Sequence, residues 1–177
     1  MAGFQTIVIG WPKSWFSFAQ TYVLEVADGA VWLGHLGKGV VADWAVAGSG
    51  AHQAMAMQHD RNLSERRAAE LGAKLGGRVL SKMETRLVGR YLTYTSEGRS
   101  ALEDSRRTRL IPASAFTELE LIDASGLTGN TPPALKSLAP PYLRCKVAGK
   151  RHTFFSPRHV GAAMGAVRKQ LLSAQGA

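Results

Sequence analysis

The chain has 177 residues, 45% of them hydrophobic and 20% charged, a balance that excludes a wholly disordered polypeptide. This length suits one domain with insertions and can bury roughly two thirds of its unfolded surface, so folding requires neither metal nor disulfide. The formal net charge of +9 points toward anionic partners, and the lone Cys145 excludes an internal disulfide.

The N-terminal stretch MAGFQTIVIGWPKSW has no basic segment ahead of its apolar run and no small-residue cleavage site, so it is not read as a secretory signal. The least polar long stretch, residues 40–57, contains Asp43, His52, glycines and a serine. It is too short and too poor in aliphatic residues for a membrane span. The expectation is a cytoplasmic protein without a transmembrane segment, with peripheral contact at the membrane left open.

Taken in chain order, the first clear elements are TYVLEV (residues 21–26) and AVWLGHL (residues 30–36). Both are strand-like. Asp28-Gly29 between them is a hairpin turn, because glycine reaches positive φ at little cost. The aromatic segment WPKSWFSF just upstream is expected to pack against this sheet. After GKG the alternation stops. Residues 45–58 are rich in Ala, Gly and Met, and Asn62 with Glu65 resembles a capping box. Leu71, Leu75, Val79, Met83, Leu87 and Tyr91 recur every four residues, with Leu80, Val88 and Leu92 beside them, which predicts a helical face with a break at Gly76-Gly77. The opposite face carries Arg66, Arg67, Lys74, Arg78, Lys82, Arg86 and Arg90.

Residues 96–105 read as a short helix or turn. RRTRLIP reads as a strand that Pro112 stops or confines to an edge. FTELELI alternates, with Thr117, Leu119 and Leu121 assigned to the core and Glu118 and Glu120 to water. Arg107 and Arg109 share a side of their strand, without Arg106, and are expected to pair with Glu118 or Glu120 on a neighbouring strand. Residues 124–141 hold four of the seven prolines and read as a long loop. YLRCKV, AGK and RHTFF form a further hairpin with Leu143, Cys145 and Val147 inward. The last element, SPRHVGAAMGAVRKQLLSA, is expected to be a helix. Ser156 would be its N-cap, Pro157 its first residue, and Val160, Ala163/Met164, Val167 and Leu171 its apolar face. From residue 142 onward come seven basic residues and no carboxylate.

Three stretches carry a family resemblance: YVLEVADGAVWLGHLGKG with the Ala/Gly-rich segment after it, SRRTRLIPASAFTELEL, and KRHTFFSPRHVGAAMGAVRKQL. In this order they resemble bacterial pleckstrin-homology-like (PH-like) domain proteins of unknown function. The resemblance implies an α+β fold: a bent antiparallel sheet or partial barrel, with a helical insertion after the first hairpin and a capping C-terminal helix. It implies a single domain over residues 1–177, with the insertion at about 45–93 and the Pro-rich loop at about 124–141. In PH-like lipid binders, Lys or Arg near the first hairpin loop holds the phosphates. On this reading that turn is Asp28-Gly29, and the nearby base is Lys38.

Signals for chemistry are sparse. One cysteine and five histidines (His35, His52, His59, His152, His159) show no zinc-ligand spacing. Cys145 is placed on a core face, where it is a small hydrophobe rather than a nucleophile. GHLGKG lacks the Lys-Ser/Thr of a phosphate loop and reads as a turn. Glu118 and Glu120, two apart on a strand, suit solvation better than acid–base work. The expectation is therefore no enzyme, no cofactor and no metal. The leading functional expectation is a non-catalytic binding or scaffold module for a protein partner or an acidic lipid surface. The anion-binding candidates are Arg144, Lys146, Lys150, Arg151, Arg158, Arg107 and Arg109. One alternative is nucleic-acid binding through the basic surface, with stacking on Tyr142, Phe154 and Phe155. The other is a homo-oligomeric structural protein joined through residues 45–58 and the amphipathic helix.

Overall fold

A computed structural model describes residues 3–12, 19–41, 82–123, 138, 140–157 and 161–176. Most of the WPKSWFSF segment, the capping box at Asn62, the helical insertion up to residue 81, His52, His59, residues 124–137 and Arg158 lie outside them. The elements are β1 (Phe4–Pro12), β2 (Gln20–Ala27), β3 (Ala30–Lys38), α1 (Lys82–Glu97), β4 (Arg109–Pro112), β5 (Phe116–Ile122), β6 (Tyr142–Val147), β7 (Lys150–Phe155) and α2 (Met164–Gln175). Short 3-10 turns occupy Gly98–Leu102 and Ala113–Ala115. Among the described residues the strands form one open antiparallel sheet in the order β4-β3-β2-β1-β7-β6-β5. The fold is α+β.

Strand β1 corrects the reading of the first hairpin. Its run Ile7-Val8-Ile9 is apolar at every position and is buried throughout, so it lacks the alternation that marks a half-buried strand. The first hairpin is therefore β1–β2, joined through residues 13–19, and Asp28-Gly29 makes the second, β2–β3. At that turn φ is +50° for Asp28 and +72° for Gly29; at the β6–β7 turn it is +48° for Ala148 and +79° for Gly149. Two consecutive positive φ values give the tight two-residue turn whose twist matches the flanking strands.

Both faces of the sheet are covered. α1 lays Leu87, Val88, Leu92 and Tyr94 over Ile7, Val23, Trp32 and Leu36. α2 lays Met164, Val167 and Leu171 on the opposite face, against Val8, Leu24, Leu33, Phe116 and Leu143. Each such buried aliphatic side chain contributes roughly 1.5–3 kcal/mol. A third cluster joins Ile9, Tyr142 and Phe155 to Ile122 and Leu138. α1 stops where Gly98 takes φ of +74°, the left-handed conformation that ends helices.

Three local expectations change. The strand expected from RRTRLIP begins only at Arg109, because residues 106–107 form a turn. In β5 the buried residues are Phe116 and Ile122, while Thr117 and Leu121 are exposed and Leu119 is half-buried. The cause is a bulge: Glu118 has φ of +54°, and the register against β6 shifts between Thr117 and Glu120. The closing helix starts at Met164 instead of Pro157. Gly161 N–H donates to the Pro157 carbonyl at 3.2 Å, and Ala162 N–H donates to Thr6 Oγ1 at 2.7 Å. The Ser156 hydroxyl faces the Pro157 carbonyl at 3.3 Å, and the N-cap position of α2 is Ala163.

Trp32 lies across its own strand. Its ring stacks on Tyr94 at 5.9 Å, and the Arg99 guanidinium sits 5.3 Å from the ring centroid. Glu25 ties this group together, accepting from Tyr94 Oη at 2.5 Å and from Arg99 Nε at 2.8 Å. The arrangement requires glycine at 34, where a Cβ would come 2.2 Å from the Trp32 ring and 2.9 Å from Leu102. With the ring held on both sides, Gly34→Ala is expected to lower unfolding stability by about 1–3 kcal/mol. Urea denaturation followed by Trp fluorescence measures this, and Trp32→Leu in the same background should recover part of the loss.

Candidate anion-binding site

The six described basic candidates do not form one patch, and Arg158 lies outside the described residues. In β6 and β7, cross-strand partners share a face: Val147 with Lys150, Lys146 with Arg151, Cys145 with His152, Arg144 with Thr153. Arg144, Lys146 and Arg151 therefore stand on one face, and Lys150 and His152 on the other, which is the α2 face. On the first face Lys146 pairs with Glu118, and Arg144 lies 3.8 Å from Glu120. These two glutamates, expected to meet Arg107 and Arg109, are taken by β6. The reason is topological, since β4 and β5 sit at opposite ends of the strand order.

Arg107 and Arg109 belong with the α2 face. Arg109 is opposite Leu33 in the β3–β4 register, and Leu33 is part of the α2-side core. Tyr22 and His35 are cross-strand partners two residues along the same face, with ring centroids 5.4 Å apart. Arg107 and Arg109 both bear electrostatically on the Tyr22 phenol. The Tyr22 ring leans over Gly10, where a Cβ would meet it at 3.1 Å and Phe154 at 3.2 Å. Beyond Gly10, Phe154 stacks with His152 at 6.1 Å and 13°. Five strands thus contribute to a row running from Arg109 of β4 through His35, Tyr22, Gly10 and Phe154 to His152. Lys150 and Arg109 both bear electrostatically on His152.

His35 is fixed at both ring nitrogens. Nε2 lies 2.8 Å from Gln20 Oε1, and Nδ1 lies 2.8 Å from Ser105 Oγ. The amide oxygen can only accept, so Nε2 carries the proton and Nδ1 accepts from Ser105. The His35 N–H donates to Thr108 Oγ1 at 3.1 Å, and Thr108 Oγ1 donates to the Leu102 carbonyl at 2.6 Å. These bonds dock the segment after the first 3-10 turn onto β3. Burial, reinforced by Arg107, Arg90 and Arg86, lowers the His35 pKa to about 4 against a slight opposing pull from Asp104. Burial, then Lys150 and Arg109, lowers that of His152. Both imidazoles are thus neutral near pH 7. Burial raises the Tyr22 phenol, and the two arginines oppose it.

Elsewhere the structure offers less. A groove of about 510 Å³ between β5 and α2 is lined by residues including Phe116, Leu119, Arg168 and Leu172. Its strand carbonyls are occupied: Gln175 Nε2 donates to Phe116 O at 2.5 Å and Arg168 Nε to Leu119 O at 2.9 Å. Cys145 is buried, and burial pushes its thiol up to about 12. Tyr142, Phe154 and Phe155 are 1–3% exposed and present no stacking platform. Among the described residues no group of three or more His, Cys, Asp or Glu is arranged to hold a metal ion, and no helix is long and apolar enough to cross a membrane.

The sequence reading found Arg107, Arg109 and Lys150 but passed over Tyr22, His35, His152, Gln20 and Ser105. The available signal was parity: His35 interrupts the Val31/Leu33 face, and His152 sits on the Phe154 face. No family model, curated protein or solved structure matches the chain.

The depressed His35 value has a definite sign for stability. The unfolded chain takes up the proton near the usual 6.5 and the folded chain near 4, so the contribution is complete above pH 6.5 and is lost as pH falls toward 4. An imidazole NMR titration should place the His35 midpoint near 4, and Arg107→Gln should raise it by removing the nearest positive charge.

Proposed function

We propose that the chain is a non-catalytic PH-like binding module that docks on an acidic lipid surface. The strand order β4-β3-β2-β1-β7-β6-β5, with a C-terminal helix packed on one face, supports the PH-like reading. The observation that carries the functional reading is the grouping of Arg107, Arg109 and Lys150 on the α2 face without an ion pair to a carboxylate among the described residues. The acidic side chains near the other cations are engaged: Glu118 and Glu120 with β6, Glu25 with Arg99, Asp104 with Arg90. The correction to the first hairpin adds to this reading, because the β1–β2 connection contains Lys13, Trp15, Phe16 and Phe18.

A basic side chain near an anionic membrane contributes about 1 kcal/mol. Cosedimentation with phosphatidylglycerol vesicles at low salt should therefore weaken about 10–30-fold in an Arg107→Gln/Arg109→Gln double variant. Arg144→Gln/Lys146→Gln should weaken it less, since those charges are already compensated. Absence of binding to acidic vesicles at low salt would sink the proposal, and a salt-sensitive gel shift with nucleic acid in its place would favour the nucleic-acid alternative.

A further inference from the structure

We propose that the groove between β5 and α2 binds a small amphipathic anion, an alkyl carboxylate whose tail lies on Phe116, Leu119 and Leu172 and whose head meets Arg168. The inference goes beyond the acidic-surface reading and does not depend on it.

Two distant parts of the chain supply the walls. On α2, Arg168, Leu172 and Gln175 stand at positions i, i+4 and i+7 and share one side of the helix. On β5, the bulge at Glu118 breaks the pairing with β6 between Thr117 and Glu120, and Phe116, Thr117 and Leu119 line the opening. Two side chains bridge the walls. Arg168 Nε donates to Leu119 O at 2.9 Å, and Gln175 Nε2 donates to Phe116 O at 2.5 Å and to Ala113 O at 3.0 Å. The bridging residues stand about 10 Å apart along the helix axis, with Leu172 between them. The volume of about 510 Å³ lies in the range of small-molecule sites, and apolar surface with a few placed polar groups is their usual lining.

Exposure and charge select the occupant. Leu172 is 43% exposed, and Leu121, which reaches toward Gly165 of α2, is 38% exposed. A hydrocarbon tail laid along this seam removes apolar area from water. Arg168 has no ion pair to a carboxylate among the described residues. Its Nε bond to β5 steadies the guanidinium at the groove, and the two terminal amino groups form a fork for a carboxylate. The carboxylate in the lining, Glu118, is held by Lys146 and leaves that fork to a ligand. An extended peptide suits the groove less well, because the carbonyls of Phe116 and Leu119 that would pair with its backbone are already taken. A single-tailed acid needs no backbone partner.

The test is an NMR titration of the full chain with sodium octanoate at fixed ionic strength, following the methyl groups of Leu119 and Leu172. Both should shift together and saturate at about millimolar octanoate. Octanol lacks the charge and should bind about tenfold more weakly, and Arg168→Gln should bring octanoate down to the level of octanol. Because Arg168 also bridges to β5, Leu172→Gln serves as a second variant that leaves the bridge intact, and it should weaken octanoate and octanol alike. Lys169→Gln removes a neighbouring exposed charge and should change nothing. Equal binding of octanol and octanoate overturns the proposal, as does a loss in Lys169→Gln that matches Arg168→Gln, since diffuse charge would then explain the preference. Tighter binding of N-acetyl-leucyl-leucine than of octanoate overturns it by assigning the groove to a peptide terminus. Leu172 shifts that follow protein concentration without octanoate overturn it by placing a second copy there. Octanoate binding without any binding to acidic vesicles keeps the groove while the membrane reading falls.

Discussion

The fold depends on the burial of one strand from both sides. Ile7, Val8 and Ile9 are consecutive in β1, and each belongs to a different core: Ile7 to the layer under α1, Val8 to the layer under α2, and Ile9 to the cluster around Tyr142 and Phe155. β1 also joins the two halves of the sheet, pairing with β2 on one edge and β7 on the other. Neither helix could be seated without it. The row from Arg109 through Tyr22 to His152 exists because β1 brings β2 and β7 together around Gly10, where the absence of a side chain lets two rings close over the backbone.

That dependence explains what the sequence disclosed and what it hid. Elements set by local chemistry were legible. Asp28-Gly29 and the AGK stretch announce hairpins, the second narrowing to a turn at Ala148-Gly149, the inward parity of Leu143, Cys145 and Val147 holds, and the helical spacing marks the buried side of α1 at Leu87, Val88 and Leu92 while Met83 of the same series is exposed. β1 was hidden for the opposite reason, because a strand buried on both faces has no polar phase to reveal its period. Naming Asp28-Gly29 as the first hairpin followed from that omission. In β5 the alternation was present but misleading, since one bulged residue, Glu118, moves the inward phase to Phe116 and Ile122. At the C-terminus, Ser156-Pro157 has the composition of a helix start, yet α2 begins at Met164, just after Ala162 binds Thr6. Long-range pairing overrode a local signal there.

The basic character of the chain is similarly divided by strand geometry. Residues adjacent in sequence point to opposite faces, so Arg144, Lys146 and Arg151 leave the sheet on one side and Lys150 on the other. Lys146 and Arg144 are consumed by cross-strand pairing with β5, the role imagined for Arg107 and Arg109. Those two arginines are released to the other face. Net charge located the tendency but not the surface, because charge counts carry no information on which side of a strand a side chain leaves.

Among the described residues the sheet has two borders, and both are blunted. On β5 the carbonyls of Phe116 and Leu119 are stoppered by Gln175 and Arg168 from the chain's own closing helix. On the far side β4 is four residues long and ends in Pro112, which has no amide proton to offer. A second molecule arriving strand-first would find its docking groups occupied at one border and truncated at the other. The sheet is thereby guarded against templated growth into fibrils, so a strongly apolar strand such as β1 can sit at its centre without making the folded chain a seed for aggregation.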